Sequence, residues 1–267
     1  MSLPLLRHTW RTQRLKLGLV SLALAVWGFV LPVVYGAFGI DFREIFESGI
    51  FPEEFASFGG GDVFSLSGSI ALGFIHPILI ILVSIFAVGF STSAIAGERQ
   101  RGTLEVLLAR PVSRRAVYAT LALSVSGFIA ITVAAFLLGS TLGAGAGGVA
   151  DELNFDRLPW LWLNGVLLFG SFAAIGLAAS ASTDRLAPAL GVTLGILVVM
   201  YFFDVLGSLW PDAEFLQPLS LFHYLQAKAI LTGTAAASNS VVLGSVIVAG
   251  VVYALIVFPR RDLAAPS

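Results

Sequence analysis

The chain has 267 residues, of which 57% are hydrophobic and 12% charged, with a net charge of −1 and a mean hydropathy of +0.93. A soluble domain carries roughly a quarter charged residues, so this chain has too few charges to cover an ordinary aqueous surface, and its balance offers no basic footprint for nucleic acid. Cysteine is absent, which excludes disulfides and thiolate metal sites.

Residues 1–16 form a basic lead in which Leu3, Leu5, Leu6 and Trp10 are apolar and Arg7, Arg11 and Arg14 share a polar face. Two readings stand: an amphipathic helix lying on the inner leaflet, or a plain positive flank. The apolar run Leu17 to Phe38 is too long for a signal peptide and reads as a retained first span.

A helical span needs about 20 residues with little charge. Six uncharged windows meet this: 24 residues between Lys16 and Asp41, 35 between Asp62 and Glu98, 35 between Arg115 and Asp151, 26 between Arg157 and Asp184, 18 between Arg185 and Asp204, and 31 between Lys228 and Arg260. The expected fold is an all-α integral membrane protein, one transmembrane domain over 1–267, with spans near 17–38, 70–96, 115–141, 160–182, 187–207 and 239–258. The stretch Phe215 to Ala227 is too short to cross, contains Pro218, and reads as an interfacial or re-entrant segment before the sixth span. Residues 143–159 read as a Gly-rich outer linker, and 183–186 as a tight turn that makes spans four and five antiparallel neighbours. Small residues four apart in those two spans (Gly170 and Ala174, Gly176 and Ser180, Gly191 and Gly195) favour close helix packing.

Lys and Arg set the orientation. With both termini cytoplasmic, twelve of the fifteen basic residues lie inside, and only Arg43, Arg157 and Lys228 lie outside. The expected location is the plasma membrane, crossed several times.

The most informative segment is the inner loop from Ala96 to Arg115. Leu104, Leu107 and Leu108 fall at helical spacing, Gly102 or Thr103 can open the helix, Pro111 ends it, and Ser113 can cap the third span. One reading is a cytosolic helix that offers leucines to a partner; the other is a loop packed on the chain's own helix ends. The loop resembles that of ABC transporter permeases of the type-2 exporter (ABC-2) family: an acidic residue, a basic stretch, Gly-Thr-Leu-Glu, two leucines, then Pro-x-Ser-Arg. The match runs through Glu98, Gly102, Thr103, Leu104, Glu105, Leu107, Leu108, Pro111, Ser113 and Arg114. A weaker similarity lies in Leu219 to Tyr224 followed by Gly233, with Leu221 where that family commonly has proline.

The resemblance implies a permease subunit of an ATP-driven exporter that moves a hydrophobic or amphipathic cargo outward. It implies two partners besides the bilayer: a cytoplasmic ABC ATPase and a second permease copy, either identical or a paralogue. The loop would be a coupling helix of about 98–110, with Glu98, Arg101, Glu105 and their neighbours making charge-assisted contacts to the ATPase. No cofactor is expected in this chain, ATP and Mg being held by the partner. Neither lysine, Lys16 nor Lys228, stands in a phosphate-binding loop, so no ATPase activity is expected here.

His76-Pro77 in the second span is a candidate for the substrate path; the competing reading is a histidine bonded to a neighbouring backbone carbonyl freed by the Pro77 kink. Asp204 and His223 are weaker candidates of the same kind. Three scattered histidines suggest no metal site. The competing function is a regulatory or assembly subunit without transport, for example for maturation of an extracytoplasmic enzyme, or a secondary transporter.

Overall fold

The computed structural model describes residues 2–47, 65–104 and 112–261, with side chains described for all of these except 40–47. Every regular element among them is helical. This is the expected consequence of long uncharged runs, because lipid offers no partner to a backbone amide and each span must satisfy its own. The principal helices are α1 (Leu3–Glu47), α2 (Leu66–Ile75), α3 (Pro77–Ser84), α4 (Arg114–Ala146), α5 (Leu158–Ser182), α6 (Leu186–Leu209), α7 (Ala227–Thr232) and α8 (Ala237–Arg260). Among the described residues five helices are long and apolar enough to cross a membrane, and the bent pair of α2 with α3 and its continuation makes six. The chain is therefore a multi-pass membrane protein.

Two expected elements differ in form. The basic lead is not a separate helix, for residues 3–16 are the first stretch of α1. The lead packs on α4: the Ser2 amide donates to Thr120 Oγ1 at 3.0 Å, and the Trp10 and Phe128 rings lie 4.9 Å apart. The Gly-rich linker is also shorter than expected, because α4 runs to Ala146.

Glycines on both helices account for the fit of α1 against α4. A Cβ on Gly139 would strike the Ala25 carbonyl, one on Gly143 the Phe29 carbonyl, and one on Gly28 the Phe136 carbonyl. Backbones can come this close only where no side chain intervenes, which is how helices associate in lipid without a hydrophobic drive. On the other side of the molecule α5 packs against α8. Ser171 Oγ donates to the Leu243 carbonyl at 3.0 Å, and Gly250 lies against Ala174. Trp162 Nε1 ties α5 to α4 by donating to the Ala130 carbonyl at 2.9 Å. Spans three and four thus form the centre of the bundle. Gly170 and Gly176 pack on Ile247 and Ser91, but Gly191 and Gly195 face open space on α6.

Between α6 and α8 the chain forms short 3₁₀ turns at Pro211–Leu219 and Phe222–Tyr224 and then α7. Gly233 ends α7 with φ +81, the left-handed conformation that suits glycine at a helix C-terminus.

Candidate functional site

The second span is the least regular helix in the molecule, and its irregularities lead directly to the loop singled out above. Pro77 lacks an N–H, so the Gly73 carbonyl four residues back loses its helical partner. Trp27 of α1 supplies one, its Nε1 donating to Gly73 O at 3.3 Å. The Ile78 N–H is accepted by His76 Nδ1 at 3.3 Å, so His76 caps α3, and its ring sits 4.6 Å from Trp27. The span bends here by 48°. The carbonyl freed by Pro77 is thus bonded by Trp27 and not by His76, which instead accepts an amide in the first turn of α3.

Beyond α3 the helix widens into two π-helical stretches, Ile85–Phe90 and Ser93–Gly97, before a last turn Glu98–Gln100. Each widened turn disturbs the regular hydrogen-bond ladder. Ser180 of α5 crosses to this region. Its Oγ accepts from the Ile95 and Ala96 amides at 3.1 and 2.9 Å and donates to the Thr92 carbonyl at 2.7 Å. Gly176, one turn earlier, makes room for Ser91. The small-residue pair of the fourth span is therefore the seat for the irregular end of the second.

The span then turns at Gly102, whose φ of +71 is left-handed, and residues 103 and 104 are again helical. Glu98 organises the turn: its carboxylate pairs with Arg101 and accepts from Thr103 Oγ1. Arg101, Gly102 and Thr103 are exposed, whereas Leu104 is 2% exposed and belongs to the hydrophobic core. Leu104 thus anchors the turn on the chain's own helices. Glu105, Leu107, Leu108 and Pro111 lie outside the described residues.

A charge cluster braces this end of the bundle. Asp184, in the turn between α5 and α6, pairs with Arg99 at 2.6 Å and also with Arg261 just after α8. Arg261 donates to the Ala181 carbonyl at 3.0 Å, and Arg114 donates to the Arg261 carbonyl at 2.7 Å. The Leu186 amide donates to Gln100 Oε1 at 2.9 Å. Five helix ends are joined within a few residues of the loop, and Ser113 caps α4 by accepting from Ala116 N–H at 3.2 Å. Asp184, Arg261 and Gln100 had no motif to mark them; the only sequence signal was the tightness of the turn at 183–186.

A second feature lies along the same span. An apolar groove of about 390 Å³ separates α3 from α6, lined by Ile81, Val88, Leu194, Val198 and Tyr201 among others. Ser84 also lines it, and its hydroxyl is buried without a hydrogen-bond partner. Sequence reasoning missed this groove, because an apolar side chain facing a groove and one facing lipid look alike in a sequence. The three polar candidates do not line it. His76 precedes its first residue, Pro77. Asp204 lies one turn beyond Tyr201, half-buried and without an ion pair among the described residues. His223 follows Phe222, whose ring is 5.7 Å from that of Tyr201. His223 is half-buried, and burial lowers its pKa from the usual 6.5. Among the described residues no group of His, Asp and Glu could hold a metal ion.

A family described as ABC-2 family transporter protein matches residues 12–263. No curated protein matches the chain.

Proposed function

The chain belongs to the ABC-2 family of transporter proteins, and from that premise we propose that it is the permease subunit of an ATP-driven exporter for a hydrophobic or amphipathic cargo. Members of this family are membrane subunits that generally work with a separate ATPase. In this reading the ATPase holds ATP and Mg, sits on the cytoplasmic side with both termini of the chain, and engages the loop of 98–110 in the plasma membrane. A second permease copy completes the transporter.

The observation that carries the reading is the braced end of the second span. A coupling element must be exposed at its tip yet rigidly joined to the helices it moves. Arg101, Gly102 and Thr103 meet the first condition, while Leu104, the Arg99–Asp184–Arg261 cluster and Arg114 meet the second. Glu105, Leu107, Leu108 and Pro111 would extend the tip into the ATPase. Force on the loop reaches the groove by the shortest route, along one helix from Glu98 back to Pro77. Nucleotide acts only by binding one state of the assembly more tightly than another, and the groove between α3 and α6 is the element whose width such a change would alter. The apolar lining of the groove, with hydroxyls only from Ser84 and Tyr201, suits an apolar cargo bearing little charge.

The test is recovery of a co-expressed ABC ATPase by affinity purification of the chain. Wild type is expected to retain it, and Glu105→Arg, which inverts the charge of the proposed contact, to retain at most about a tenth as much. Equal recovery would remove the loop from the interface.

A further inference from the structure

At the end of the bundle opposite Asp184, a cavity of about 220 Å³ opens between the Leu158 end of α5 and the Ala237 end of α8. Its walls carry donors and no carboxylate. Arg157, Asn164, Gln226, Asn239 and Ser240 line it, and none of the lining residues is acidic. Asn164 is 5% exposed and fixed in place, donating to the Trp160 carbonyl at 2.9 Å and accepting from Ser240 Oγ at 2.7 Å. The Arg157 guanidinium lies against Gly233, where a Cβ would come within 2.9 Å of Nη2. The positive φ of Gly233 and its lack of a side chain therefore make the space that the guanidinium occupies. Among the described residues Arg157 forms no ion pair, and the side chains of Gln226 and Asn239 accept or donate no hydrogen bond. α8 begins without a side-chain cap or an acidic residue in its first turn, so its amide end adds positive potential to this space.

We propose that this cavity binds a phosphate group, either the headgroup of an anionic phospholipid or a free phosphate. A single guanidinium with amide donors arriving from several elements suits a tetrahedral oxyanion with three or more acceptor oxygens better than a planar carboxylate with two. Trp160 and Tyr224 on the rim are the residues that favour a membrane–water boundary, where phospholipid phosphates lie. The proposal rests on the cavity alone and stands apart from the exporter reading.

The experiment uses the full chain in maltoside micelles, which contain no phosphate, and follows tryptophan emission during titration with short-chain phosphatidylglycerol and, separately, with inorganic phosphate. Trp160→Phe identifies the reporting ring. A saturable response to the lipid but not to inorganic phosphate assigns the site to a headgroup; a response to both assigns it to phosphate itself. Arg157→Gln is expected to raise the half-saturating concentration about tenfold, the effect of losing roughly one charge-assisted hydrogen bond. Arg185→Gln, at the opposite end of α5, is expected to leave it unchanged. Should Arg157→Gln not yield folded chain, Asn239→Leu carries the same test with an expected severalfold weakening. No saturable response to either titrant, or the same affinity in wild type and the cavity variant, would overturn the proposal.

Discussion

Ser180 is the residue on which the geometry of the second span most depends. One hydroxyl satisfies two amides and a carbonyl in a stretch where the regular ladder is disturbed. Ser180→Ala leaves buried donors without a partner, and a loss of about 1–2 kcal/mol is expected, read as a lowered midpoint of thermal unfolding in detergent. An unchanged midpoint would mean that the helix end re-forms its own bonds. His223 gives a pH dependence. Burial depresses its pKa in the folded chain below 6.5, so the unfolded chain takes up its proton first as pH falls. Its contribution to stability is complete above about 6.5 and is lost as the pH falls through the lower, folded value. His223→Gln should flatten the fall in unfolding midpoint on acidification. At this scale the sequence located His76 and Pro77 but could not reveal Trp27 as the donor to Gly73. That partner lies 46 positions away and is marked by no spacing.

At the scale of elements, charge-free windows pointed to the number of candidate spans because a charge within a span is costly in lipid, but the helices overrun them, α1 running from Leu3 to Glu47 and α6 past Asp204 to Leu209. The windows could not show that the second span bends at His76 or widens twice, since those departures depend on side chains from α1 and α5. The pairing of α1 with α4 was partly legible. Gly139, Gly143 and Gly147 stand four apart, but a Gly-rich composition also reads as a linker, and only contact with Ala25, Phe29 and Pro32 distinguishes the two. Gly139→Leu should part the two helices, since the obstruction is backbone and cannot swing aside. We expect a cost of about 3 kcal/mol or more, or loss of folded chain, detected as a lowered unfolding midpoint or poor recovery from the membrane. Gly191→Leu, at a position with open space around it, should leave the unfolding midpoint of the isolated chain within about 0.5 kcal/mol of wild type.

For the whole molecule, the multi-pass helical architecture followed from composition, whereas the functional reading required the loop motif and its attachment. In the proposed reading the motif faces a partner, and the fold supplies what a motif cannot: an anchor at Leu104 and a brace at Asp184 that ties the loop to several helix ends. Leu104 matched the family pattern in sequence, yet it is buried, so the proposed contact falls to the exposed residues beside it. The chain has no native cysteine, so Arg101→Cys introduces a single thiol at the exposed turn. A short thiol-to-amine crosslinker applied to the chain co-expressed with its ABC ATPase should give a covalent adduct from position 101 and none from Ser238→Cys at the opposite end. Failure of position 101 to yield an adduct, or equal yield from both positions, would contradict the assignment of this loop as the point where the permease meets its ATPase.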